Sequence, residues 1–195
     1  MFPKDLLRHS GDFLRQWRNH KWERRDDGAI LFTQAKASIG GFFTHADDSV
    51  DHNTWTDEGM DYMLNAALKG AAREAGIFIA PFGNAFAPSR TLKAAQFPAL
   101  AGEIVSPTEG YSESARQAWT TGVPSNGTLS NSAARAQITV VTASALTVRG
   151  AALLTRSAKG ATDGVLLAAA RFANDRTAYN GDPFPLEYTL QLLPS

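Results

Sequence analysis

At 195 residues the chain is long enough for one good core, with room for a small extra arm or subdomain. Its 19 Lys and Arg balance 19 Asp and Glu, which argues against a general nucleic-acid binder. There is no cysteine, so disulfides, a thiolate nucleophile and Cys-based metal sites are excluded.

The charge is unevenly placed. Residues 1–25 carry seven Lys/Arg and three Asp/Glu, a net of +4. Residues 26–65 carry one Lys and eight Asp/Glu, a net of −7. A basic head before an acidic segment suggests ionic docking, to a partner or within the chain. Asp5, Arg8 and His9 stand where a signal peptide needs an apolar run, and no stretch approaches transmembrane length. The expectation is a soluble protein that is not exported by the usual route.

The first 25 residues read as a helical arm. Leu6, Leu7, Phe13, Leu14 and Trp17 fall roughly on one face, with Arg15, Arg18 and Lys21 elsewhere. Ser10-Gly11-Asp12 breaks the run and offers a cap. Trp17 and Trp22 are large for an exposed arm. Two readings stand open: the face folds back on its own domain, or it completes its packing on another chain. Asp5, Asp12 and Glu23 disfavour a membrane-surface helix.

Residues 29–33 and 36–44 read as short strands, with Gly40-Gly41 marking a bend or bulge. Residues 45–54 read as a solvated acidic loop. The clearest helix spans 56–70. Thr56 is a suitable N-cap, Asp57 and Glu58 suit the dipole, and Trp55 and Met60 have the spacing of a hydrophobic staple. Met60, Met63, Leu64, Ala67 and Leu68 form its expected core face, and Lys69-Gly70 its end.

From residue 76 the pattern is β. Ile77-Phe78-Ile79 reads as a strand ended by Pro81, and residues 84–100 as a long loop. Further strand candidates are 103–105, 112–119, 136–142, 145–154, 164–170 and 184–192. In the last, Phe184, Leu186, Tyr188, Leu190 and Leu192 alternate onto one side, behind an Asn180-Gly181-Asp182 turn. Pro185 is expected at the strand's start or on a sheet edge. The fold expected is mainly β: a β-sandwich or jelly-roll-like module over 54–195, with the packed 56–70 helix and an N-terminal attachment arm over 1–53.

Chemistry is sparse. All four histidines, His9, His20, His45 and His52, precede residue 53, and there is no Gly-x-Ser-x-Gly elbow, phosphate loop or His-Glu-x-x-His. The one dense polar cluster, His45 with Asp47, Asp48, Asp51 and His52, fits neither the helical zinc nor the calcium-loop spacing. Glu103, Glu109 and Glu113 could act as a glycosidase pair only if folding brought two together; ordinary surface or turn roles are expected. Tyr111, Arg116 and Trp119 could cluster, with Arg116 on an aromatic face, and core packing is the expected use. No catalytic residue, metal ligand or cofactor is assigned.

Several segments together carry a resemblance. These are Asp57-Glu58-Gly59 with the helix it opens, Ile77 to Phe82, Glu103, Gly110-Tyr111 to Trp119, Leu129-Ser130-Asn131-Ser132-Ala133, Gly150 to Leu154, Lys159-Gly160, Gly164 to Leu167 and Asn180-Gly181-Asp182. Over about 54–192 the pattern resembles small virion structural proteins of tailed bacteriophages, described as tail-fibre-like. The resemblance implies a non-enzymatic particle component with a β-sandwich core, made in the host bacterial cytoplasm and residing in the virion. Its partners would be tail, neck or capsid subunits and further copies of itself, with the host surface as a further contact, and neither nucleic acid nor membrane. Leu6, Leu7, Phe13, Leu14, Trp17, Arg18 and Trp22 would dock the arm. The alternatives are a capsid decoration protein and, at lower weight, a carbohydrate-binding or glycan-active module.

Overall fold

The computed structural model describes the backbone of residues 22–24, 30–32 and 37–194, with side chains over 39–192. The chain divides into two units, residues 1–38 with 193–195 and Ile39–Leu192. In the first, β1 (Trp22–Arg24) pairs antiparallel with β2 (Ile30–Phe32), setting Trp22 opposite Phe32. Trp22–Arg24 therefore belongs to a strand rather than to the expected helical arm. Asp26-Asp27-Gly28, which joins the two, has hairpin-turn composition, so pairing with Ile30-Leu31-Phe32 outweighs local helix propensity.

The Ile39–Leu192 unit is a β-sandwich-like fold of antiparallel sheets. Its elements are β3 (Ala37–Thr44), β4 (Val50–His52), β5 (Thr54–Trp55), α1 (Asp57–Leu68), β6 (Phe78–Phe82), β7 (Gly110–Tyr111), β8 (Gln117–Ala118), β9 (Thr128–Ser130), β10 (Ala136–Val141), β11 (Leu146–Leu154), β12 (Leu166–Ala178) and β13 (Pro183–Pro194). One sheet runs β4-β3-β13-β10-β7, with β9 also on β13; the other runs β5-β12-β11-β6-β8. β3 and β4, placed with the arm in the sequence reading, are strands of the first sheet. The four outer strands, β4, β7, β5 and β8, are only two or three residues long.

The core between the sheets contains Phe43, Trp55, Tyr111, Ile138, Leu153, Leu167, Phe172, Leu186 and Tyr188. Alternate residues of β11 and β12 face the other way, where Ala152, Leu154, Leu166 and Ala169 meet Phe82, Leu92 and Phe97. Burial on both faces explains why these two strands read as continuous apolar runs. The stretch expected as a plain loop over 84–100 thus supplies a second core, through Leu92, Ala94 and Phe97.

Several boundaries differ from the sequence reading. Pro81 lies inside β6, where its carbonyl accepts from the Ile104 amide. Its missing N–H points to that same side, so the β11 ladder loses nothing. Gly40-Gly41 makes no break in β3; at Gly41 a Cβ would overlap the Tyr188 ring and hydroxyl, so the glycine gives close approach. Residues 112–119 form no long strand, because Glu113 turns to accept from the Thr139 amide at 3.0 Å. Residues 103–105 contribute only a bridge from Glu103 to Phe82.

In β13 Leu186, Tyr188 and Leu190 join the core between the sheets as the alternation predicts, but Glu187 and Thr189 on the other side are buried too and Leu192 is half-exposed. Gly181 takes φ +85°, as the turn requires. Val140 donates to the Asp182 carbonyl, so even-numbered residues of β13 form the bonded pairs with β10. Pro183 and Pro185 fall on the non-bonded positions, so their missing N–H groups cost the β10 ladder nothing.

In α1 the Thr56 hydroxyl accepts from the Gly59 amide at 2.9 Å, capping the helix, and Gly70 closes it at φ +68°. The phase of the helix differs from expectation. Gly59 is its buried residue, Met60, Tyr62 and Met63 pack against the core, and Leu64 and Leu68 are 56% and 78% exposed. The contact with β12 is made by the smallest residue rather than by the leucines. No helix among the described residues is long and apolar enough to cross a membrane.

Candidate functional site

The densest polar cluster of the unit centres on Arg116. Its Nε and Nη2 donate to Glu103 Oε1 and Oε2 at 2.8 and 2.7 Å, a bidentate pair whose side chains are both 0% exposed. Arg116 also donates to the carbonyls of Arg156 at 3.0 Å and Ala161 at 3.2 Å, while the Gly160 amide donates to Glu103 at 3.2 Å. The bonds to Arg156, Gly160 and Ala161 hold residues 156–161 against the pair.

Beside it, Lys159 Nζ sits 3.4 Å from the Tyr111 ring centroid and donates to the Tyr111 carbonyl at 2.9 Å. Lysine, not Arg116, is therefore the cation on the aromatic face. Burial pushes the Tyr111 phenol well above its ordinary range, and Glu103 adds to the effect. Burial also draws the Lys159 ammonium down.

The three carboxylates singled out in the sequence take separate scaffold roles. Glu103 belongs to Arg116. Glu109 accepts from the Thr142 hydroxyl at 2.7 Å and the Ala143 amide at 3.1 Å. At Glu113 burial pushes the carboxyl up, but the Thr139 amide and the residue's own amide outweigh it, and the group lies below its usual range. Glu103 departs most from its expected surface role, being wholly buried.

The 45–52 segment is bolted to β12 rather than solvated throughout. His45 Nε2 and Asp51 Oδ2 lie 2.7 Å apart with both side chains largely buried, and the His45 ring stands edge-on to Phe172 at 4.5 Å. Asp51 Oδ1 accepts from the Ala173 amide at 2.8 Å. The Ser49 hydroxyl and the Arg176 guanidinium hold Asp47 well below the usual carboxylate range. His52 is exposed, its ring 6.0 Å from Phe42. The two carboxylates thus serve different partners, and no three His, Asp or Glu side chains among the described residues converge on one point.

An open groove of about 610 Å³ runs along the start of α1. Asp57, Asp61, Arg90 and Lys93 give it both signs of charge, and Arg90 pairs with Asp57 at 2.7 Å. Glu58, at its floor, accepts from the Ala94 and Leu166 amides, each at 2.9 Å.

The arm residues nominated for docking, Leu6, Leu7, Phe13, Leu14, Trp17 and Arg18, lie outside the described residues, and of Trp22 only the backbone is described. The sequence reading did not pair Glu103 with Arg116, nor Lys159 with Tyr111. No local signal joins them, since 13 and 48 residues separate the partners.

Over Ile39–Leu192 the fold is β-sandwich-like, two antiparallel sheets with one main helix among the described residues. No known family model matches the chain, and no characterised protein matches it in sequence.

Proposed function

We propose that the protein is a non-enzymatic structural component of a tailed-bacteriophage particle, a tail-fibre or tail/neck appendage attached by its N-terminal segment. One observation carries the reading: the Ile39–Leu192 unit has its own two-faced core, drawn from residues 43–190. The basic, Trp-bearing composition of the N-terminal residues suits attachment to another chain. The use of Glu103, Glu109, Glu113, Asp47 and Asp51 as scaffold bonds agrees with a display module.

The test is to delete residues 1–25 and follow the protein by mass spectrometry in purified particles. The expected result is a folded protein that no longer incorporates, while the full chain labels the tail by immunogold. Incorporation of the truncated protein at the normal level overturns the attachment role. Labelling on the capsid shell would assign the chain as a decoration protein instead.

A further inference from the structure

A second cavity, of about 270 Å³, opens at the mouth of the sandwich beneath α1. Trp55 and Leu153 wall it from one sheet, Leu190 from the other, and Trp119 and Met63 close its sides. The wall is mostly apolar; among its lining residues the buried Trp55 indole N–H has no hydrogen-bond partner, and the Tyr62 hydroxyl accepts from the Glu74 amide at 3.0 Å. The indole N–H of Trp119 is spent on the Tyr188 carbonyl at 3.0 Å and has no valence left for a guest. An enclosed apolar cavity of about 150 Å³ is already enough to take up a small apolar molecule, and this one, open at its mouth, is larger.

The rim adds one feature of opposite character. Arg73 lines the opening and is exposed. Its acidic neighbour Glu74 is committed to Arg156 at 2.6 Å, and Arg73 has no ion-pair partner among the described residues. A guanidinium is the side chain best suited to hold a carboxylate by two parallel hydrogen bonds.

We infer that this cavity binds a medium-chain carboxylate, its aliphatic tail among Trp55, Trp119 and Leu153 and its head on Arg73. The combination of a mostly apolar wall and a single cation at the mouth selects an anionic single-chain amphiphile over a sugar, most of whose hydroxyls would stay unpaired against that wall.

Isothermal titration calorimetry of the full chain with octanoate and octanol tests this. Both ligands are expected to bind saturably with one-to-one stoichiometry. Arg73→Gln should weaken octanoate about tenfold, the loss of a charge-assisted contact, and leave octanol unchanged. Ala66→Trp, which fills the mouth from α1, should remove binding of both. Should that variant fail to melt cooperatively, the rise in wild-type melting temperature with octanoate, and a smaller rise in Arg73→Gln, serves instead. Absence of saturable octanoate binding, or equal octanoate affinity in wild type and Arg73→Gln, overturns the inference.

Discussion

Gly59 lies directly on the backbone of Leu167: a Cβ added to the glycine would overlap the Leu167 carbonyl and Cα. This single approach sets the rotation of α1 and turns Leu64 and Leu68 outward.

Gly59→Ala should therefore destabilise the protein, although alanine is the better helix former. Propensity favours the change by about 1 kcal/mol, while overpacking against backbone costs about 1–3 kcal/mol. Leu64→Ala, at a half-exposed position, should stay within about 0.5 kcal/mol. Urea titrations of the two variants check the order. A larger loss at Leu64 would put the leucine face on the core.

The buried Arg116–Glu103 pair should be costly to break from one side. Arg116→Met leaves Glu103 charged and enclosed, for a loss of about 3–5 kcal/mol. The double variant Arg116→Met/Glu103→Leu should lose less than the sum of the two single changes, because it leaves no orphan charge. A double-mutant cycle by chemical denaturation measures this coupling. Strict additivity would show that the two side chains do not depend on one another.

Acid should weaken the fold through the surface carboxylates. Asp47, Asp163 and Asp175 are held below their ordinary value of 3.8 by hydrogen bonds to Ser49, Arg156 and Arg171, respectively. A carboxyl depressed in the folded state contributes its stability above the unfolded value and loses it as pH falls through the folded one. Stability should therefore be flat above about pH 5 and fall below about pH 4. Asp47→Asn should flatten that acid limb. Melting temperatures from pH 2 to 7 read it out, and an unchanged slope would remove Asp47 from the account.

The strand β13 should be indispensable. It lies between β3 and β10 and also carries β9, so a chain ending at Asp182 loses the centre of one sheet. That fragment should be insoluble or lack a cooperative transition. Leu190→Ala should cost about 2–5 kcal/mol, while Gln191→Lys should be tolerated. Cooperative unfolding of the 1–182 fragment, followed by circular dichroism, would place β13 outside the core.

What could be read in the chain was what depends on neighbours in sequence. The alternation from Phe184 to Leu190, the turn at Gly181 and the Thr56 cap all follow from local periodicity and φ preferences, and the structure has them. The phase of α1 did not follow, because counting large apolar residues favours Leu64 and Leu68. Closeness between a helix and a sheet is decided instead by the smallest residue, Gly59. Leu92, Ala94 and Phe97 escaped notice for a related reason: they pack from an irregular segment with no period to reveal them. Glu103 was read as a surface acid because carboxylates usually are, and only the folded chain brings Arg116 to it.

The brevity of the outer strands limits how this sandwich can be approached. A strand added alongside β4, β5, β7 or β8 would find a ladder of two or three residues before the backbone turns away. Along those four strands an added strand would make only a few main-chain hydrogen bonds, which weakens edge-to-edge pairing there.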